Sequence, residues 1–195
     1  MVVGLTGGIG SGKTTVVSFF KKFSNVAIYI ADVEAKKLMN SSSVIKNKLI
    51  KEFGEQAYKN NKLNRTFIAD IVFKNKKKLK ALNSIVHPEV ENHFQEFVFN
   101  NNKKDYILYE NAILFENKSN FFCDYIITVS APIETRIKRV VLRDNSTKEE
   151  VLNRIRNQWP VEKKTLQSNY IIHNRSLKNT ENQVNKIHNF LTKKS

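Results

Sequence analysis

Six glycines occur in the 195 residues, and five of them, Gly4, Gly7, Gly8, Gly10 and Gly12, fall within one nine-residue stretch. So dense a cluster in a glycine-poor chain requires a local backbone that side chains would obstruct. A short apolar run, Val2 to Thr6, leads into it, and Thr14-Thr15-Val16-Val17-Ser18-Phe19-Phe20-Lys21-Lys22, with mixed apolar and polar faces, follows. The order is strand, loop, helix. Within it, Gly7-Gly8-Ile9-Gly10-Ser11-Gly12-Lys13-Thr14 fits G-x-x-x-x-G-K-[ST] in the context that a phosphate-cradling loop requires. Backbone N–H groups converge there on a β-phosphate, Lys13 spans the β- and γ-phosphates, and Thr14 offers a hydroxyl to Mg²⁺. The positive end of the following helix faces the anion.

The rest of the pattern alternates. Val26 to Ile30 is an apolar run of strand length, closed by Asp32. From residue 33 to about 100 the period turns helical. Phe67, Ile68, Ile71 and Val72 share one face, as do Val90, Phe94, Phe97 and Val98 after Pro88, which is expected to start a helix. Ser41 to Ser43 reads as a loop, and Lys74 to Lys78 as an exposed helix end. Strands are expected over Tyr106 to Glu110, Tyr125 to Val129 and Tyr170 to Ile172. Pro132 opens a helix with Ile133, Ile137, Val140 and Val141 inward and Arg136, Arg139 and Arg143 on another face. Thr147-x-x-Glu150 is a capping box for a helix to about Gln158, and Thr180-x-x-Gln183 is expected to open the last one. Five strands alternating with helices predict a three-layer α/β fold around a five-stranded parallel sheet.

Charge alone does not choose a partner. Thirty-three Lys+Arg against 18 Asp+Glu leave +15, which suits nucleic acid, an anionic membrane or a phosphorylated small molecule alike. With 26 Lys, 7 Arg and 24 Asn, the excess reads mainly as compositional bias, with Lys74 to Lys80 as a solvated face. The aromatics sit at core spacing and are not interleaved with lysines on strands, against a nucleic-acid stacking surface. No run approaches the roughly 18 apolar residues of a membrane span, and no export signal opens the chain. The single Cys123 fits a cytoplasmic, reducing setting as an apolar filler. Asn102-Lys103-Lys104-Asp105 spells the guanine-reading N-K-x-D, but no Asp is followed by x-x-Gly. A motor needs more chain than 195 residues usually offers, and a small-molecule kinase is the best class.

At this point the sequence resembles the dephospho-CoA kinase family from about residue 2 to residue 175. Gly4-Leu5-Thr6-Gly7-Gly8-Ile9-Gly10-Ser11-Gly12-Lys13-Thr14 looks like the family's phosphate loop, Ala31-Asp32 the second half of its Asp-Ala-Asp, and Ile85-Val86-His87-Pro88-Glu89-Val90 its I-x-H-P-x-V. Leu63-Asn64-Arg65, Val72-Phe73, Leu114-Phe115-Glu116, Arg139-x-x-x-Arg143-Asp144 and Asn169-Tyr170-Ile171-Ile172-His173-Asn174 continue the likeness in order. Departures are Ile30 for the first Asp of the signature, Glu110 for a strand-ending Asp, Ala112 for a Pro and Asn169 for an Asp.

The resemblance implies phosphorylation of the ribose 3′-hydroxyl of dephospho-CoA by ATP, with Mg²⁺. It implies ATP contacts from Gly8, Gly10, Ser11, Gly12, Lys13, Thr14, Thr15, Arg139, Arg143 and Asn174. Lys13, Asp32 and Arg143 are the implied catalytic groups, with Asp32 as general base. Asp32, Arg65 and His87 meet the substrate, and Thr14 and Glu110, the latter through water, hold the metal. Simpler roles stand beside these: Asp32 and His87 as helix caps, Arg65 in a salt bridge, Glu110 as a strand-end carboxylate, and Arg139 and Arg143 as solvated residues. The implied organisation is a kinase core of about 1–32, 104–135 and 165–195, a helical CoA-substrate subdomain over about 33–103 and a helical lid over about 136–164. Nucleic acid and membrane are not expected as partners, and a monomer is expected with oligomers left open. The competing readings are another P-loop nucleotide or small-alcohol kinase and a basic nucleic-acid-binding P-loop protein.

Overall fold

In a computed structural model, which describes residues 1–194, the chain runs β1 (Val2–Gly7), α1 (Lys13–Phe20), β2 (Val26–Ile30), α2 (Ala31–Ser41), α3 (Ser43–Phe53), β3 (Tyr58–Lys59), β4 (Lys62–Leu63), α4 (Arg65–Lys74) and α5 (Lys76–Asn100). It continues through β5 (Tyr106–Glu110), β6 (Tyr125–Ser130), α6 (Ile133–Asp144), α7 (Lys148–Arg156), α8 (Val161–Leu166), β7 (Tyr170–His173) and α9 (Leu177–Thr192). Contacts gather into two units, Met1–Tyr29 together with the chain from Asn101 onward, and Ile30–Asn100. No helix of the described residues is long and apolar enough to cross a membrane.

The first unit holds a five-stranded parallel sheet in the order β2-β5-β1-β6-β7. Its central strands are apolar on both sides because helices cover both faces, and all five residues of β5 are buried, Glu110 included. Leu5 is level with Glu110 on one side and Ile127 on the other, and Gly7 with Val129. The chain therefore leaves β1 at the C-terminal edge where the strand order reverses, which is where open α/β sheets bind ligands. Against the sheet, α1 buries Val16, Val17 and Phe20, and α9 buries Val184, Ile187 and Leu191.

Two expectations for this unit are corrected. Thr180 does not open α9; Ser176 caps it by accepting from the Asn179 N–H at 3.3 Å. Thr180 lies a turn later, buried, its hydroxyl within hydrogen-bond distance of two acceptors that share its one proton, the Ser176 carbonyl at 2.8 Å and Asn174 Oδ1 at 3.0 Å. On α6 the expected faces are partly exchanged: Arg136 is buried, and Ile133 is 51% exposed. Spacing alone hides the cause, which is a backbone acceptor far away in sequence. The capping box on α7 is present, with Thr147 Oγ1 accepting from Glu150 N and Glu150 Oε2 from Thr147 N.

In the second unit Ile45, Leu49, Phe53, Ala57, Ile68, Val86, Val90 and Phe94 form the core. Asn64 caps α4 by accepting from Phe67 N at 3.3 Å. The β3–β4 hairpin, unforeseen in the sequence, turns through Asn60 and Asn61, both left-handed (φ 50° and 60°), a conformation that asparagine tolerates. A third correction concerns Pro88, which starts no helix: α5 runs through it without a break, so His87 is no cap. Pro88 removes the N–H that the Ser84 carbonyl would have received, but Ser84, His87 and Pro88 are exposed while Val86, Val90 and Phe94 face the core. Water can satisfy the freed carbonyl, so the interruption costs less than it would inside.

Candidate active site

The turn after β1 is shaped by Gly10 and Gly12, both left-handed (φ 78° and 93°). A Cβ on Gly12 would collide with the Asn174 amide, and one on Gly10 with the Arg136 carbonyl. These glycines let the loop lie directly against α6 and the end of β7. Gly12 caps α1, so the helix starts at Lys13 with its N-terminus toward the loop.

Lys13 Nζ donates to the Gly7 carbonyl at 3.1 Å and lies 3.9 Å from Glu110 Oε1. The register explains the pairing, since Glu110 ends the neighbouring strand beside Leu5. Gly10, Gly12, Lys13, Thr14, Thr15, Arg139, Val140 and Arg143 line one concavity of about 260 Å³. Beneath it the buried Asn174 donates to the Ser11 carbonyl at 2.8 Å and is held in turn by Thr180. Arg139 makes only long contacts, 3.4 to 3.5 Å, to the carbonyls of Gly10, Ser11 and Asn174. Its guanidinium is thus near the loop but weakly engaged.

Arg143 rims this concavity but is committed elsewhere. It is exposed and forms a two-bond pair with Asp144, whose other partner is Arg154 at 2.6 Å. The Arg143 hydrogen bond, with help from Arg154, draws the Asp144 carboxyl down to about 2.

The remaining candidates, Asp32, Arg65 and His87, belong to the second unit. Asp32 is exposed in the first turn of α2, where its charge suits the helix dipole; it is not the cap, because the cap position is Ile30. Arg65 is the exposed first residue of α4, and His87 is exposed on α5.

Residues with no site role expected from the sequence lie on and around the loop. Arg136 Nε donates to the Ile9 carbonyl at 3.0 Å, and Gln158 Oε1 accepts from the Ile9 N–H at 2.9 Å. Lys164, fully buried, reaches Glu116 Oε1 at 2.8 Å and the Ala112 carbonyl at 2.7 Å. Burial lowers its pKa while Glu116 opposes the shift. Glu116 also accepts from Trp159 N at 2.9 Å, and the Trp159 ring lies parallel to Phe115, 5.9 Å away. Arg136 stands in the arginine stripe and Glu116 in the Leu114-Phe115-Glu116 likeness, neither with a role in holding the loop; Gln158 and Lys164 carry no local signal.

A parallel sheet with G-x-x-x-x-G-K-T after its central strand, a carboxylate beside the loop lysine and arginines of α6 on the same concavity define a P-loop kinase. The family model for dephospho-CoA kinase matches residues 1–179. A curated relative named dephospho-CoA kinase, from Bacteroides fragilis (strain YCH46), is 38% identical over 172 residues, 88% of this chain and 83% of its own length. A solved structure from Thermus thermophilus superposes with a TM-score of 0.87 at 29% identity, covering 97% of this chain and 96% of that one. A dephospho-CoA kinase structure from Campylobacter jejuni shares the fold, with a TM-score of 0.66 at 24% identity over 98% of this chain and 97% of that one. The chain belongs to the dephospho-CoA kinase family.

Proposed function

We propose that this kinase transfers the γ-phosphoryl group of ATP to the ribose 3′-hydroxyl of dephospho-CoA, giving coenzyme A and ADP. The observation that carries the reading is the placement of Lys13 between the Gly7 carbonyl and Glu110, on the same concavity as Thr14, Thr15 and Arg139. Phosphoryl transfer asks mainly for positioning and charge neutralisation, and this site supplies both. The amides of Gly8, Gly10 and Gly12 cradle the phosphates together with Ser11 of the same loop, Lys13 bridges them, and Asn174 fixes the loop through the Ser11 carbonyl. Asp32 takes the proton from the attacking hydroxyl, with Arg65 and His87 on the dephospho-CoA. In this reading residues 33–103 hold the substrate and 136–164 act as the lid, whose Arg143 leaves Asp144 for the triphosphate.

The donor chemistry fits Mg²⁺: Thr14 offers a hydroxyl and Glu110 a carboxylate, both hard oxygens, and this ion takes its other ligands from water and phosphate. When bound it neutralises charge on the phosphates. We place its action in the cytoplasm, and the catalytic roles above need one copy of the chain, whether it works alone or in an oligomer.

Two variants test the roles. Lys13→Ala is expected to fold normally and lose about 10²–10³-fold or more in turnover. Asp32→Asn is expected to bind ATP as wild type does and lose about 10²–10⁴-fold in turnover. Full activity in folded Lys13→Ala defeats the site, and a loss under about tenfold in Asp32→Asn leaves Asp32 a first-turn charge only.

A further inference from the structure

Both polar groups of the Ile9 backbone are taken by side chains from far along the chain, and neither partner belongs to the motif. Arg136 Nε donates to the carbonyl at 3.0 Å, and Gln158 Oε1 accepts from the N–H at 2.9 Å. The peptide before Ile9 is held at both ends, because the Gly8 carbonyl also accepts from Ser11 N at 3.1 Å. The peptide after Ile9 is held through its carbonyl. All peptides among the described residues are trans, so carbonyl and N–H point in opposite directions across each plane. Arg136, by holding the Ile9 carbonyl, therefore directs the Gly10 N–H away from itself, and the Gln158 anchor keeps the preceding plane from rotating.

Gln158 is itself rigidly presented. Its own N–H bonds to the Ile155 carbonyl, and the next residue, Trp159, donates its backbone N–H to Glu116 and lies parallel to Phe115. The buried Lys164 then ties α8 to the same Glu116 oxygen and to the Ala112 carbonyl. The connector between α7 and α8 is thereby fastened to the segment that follows β5, and Gln158 extends from it to the loop. An amide suits this position because it accepts a hydrogen bond without adding negative charge where a triphosphate must approach.

We propose that Gln158 is a positioning residue for ATP, setting the phosphate-loop shape by holding the Ile9 N–H. The proposal deepens the kinase reading and rests on it for the role of the loop. The contact to Ile9 is tested without that reading.

The test compares wild type, Gln158→Leu, which keeps the bulk and loses the acceptor, and Gln158→Glu, which keeps the acceptor. Amide exchange followed by NMR without nucleotide should show Ile9 protected in wild type, at least about tenfold faster in Gln158→Leu and protected again in Gln158→Glu, with β6 amides unchanged in all three. Titrated with ATP alone, Gln158→Leu should bind about tenfold more weakly, the order of one hydrogen bond. In turnover it should show a raised KM for ATP and an unchanged KM for dephospho-CoA. Equal Ile9 exchange in wild type and Gln158→Leu overturns the proposal, as does equal ATP affinity. If Gln158→Leu does not fold, failure of Gln158→Glu to protect Ile9 overturns it instead. Wild type that protects Ile9 but phosphorylates no dephospho-CoA refutes the assigned reaction and leaves the contact standing.

Discussion

Arg143 and Asp144 are adjacent in sequence and joined by two hydrogen bonds, Nε to Oδ1 at 2.7 Å and Nη2 to Oδ2 at 3.1 Å. Arg154 completes the cluster from α7, so one carboxylate links the end of α6 to the next helix across the left-handed Asn145. The carboxyl lies at about 2, below its ordinary 3.8, chiefly because of the Arg143 hydrogen bond. An acid depressed in the folded state stabilises it above the unfolded value and loses that contribution as pH falls through the folded one. The cluster is thus whole at neutral pH and comes apart between about pH 4 and pH 2. An NMR titration of the Asp144 carboxyl should place its midpoint near the lower end of that window; a midpoint at the ordinary value means the cluster does not form in solution.

Arg143 has to exchange Asp144 for phosphate if it serves transfer. Closure over ATP would exclude water that competes with the ribose hydroxyl. Arg143→Ala should therefore lower turnover more than it weakens dephospho-CoA binding, and raise the ratio of ATP hydrolysis to transfer. Wild-type transfer with no added hydrolysis would reduce Arg143 to a surface partner of Asp144.

Glu116 and Lys164 form an ion pair in which the lysine is fully buried. Removing one charge leaves the other uncompensated, whereas removing both does not. Glu116→Gln should lose about 3 kcal/mol of stability in denaturant unfolding, and Glu116→Gln with Lys164→Met should recover most of it. A single variant within about 0.5 kcal/mol of wild type would show that the pair does not hold this part of the fold.

The strands and the phosphate loop were legible because their signals are local. Val2 to Thr6, Val26 to Ile30 and Tyr106 to Glu110 are short apolar runs of a sheet covered on both faces, and Gly7 to Thr14 carries the whole phosphate-loop pattern in eight consecutive residues. What escaped depends on partners distant in sequence. Arg136 looks like one member of an arginine stripe until the Ile9 carbonyl is brought under it, and Thr180 looks like a cap until Asn174 lies against it. Pro88 misled because its cost depends on exposure, which sequence does not display. The Tyr58 to Leu63 hairpin has two residues per strand, too few for a period-two pattern.

The central claim is most directly tested by the position of the phosphate in the product. The wild-type protein, given ATP, Mg²⁺ and dephospho-CoA, should form ADP and coenzyme A in equal amounts, with ³¹P and ¹H NMR placing the new phosphate on the ribose 3′-oxygen. Shikimate or nucleoside monophosphates in its place should give no turnover above ATP hydrolysis. Phosphorylation of one of those compounds by a folded protein that leaves dephospho-CoA unchanged would contradict the account.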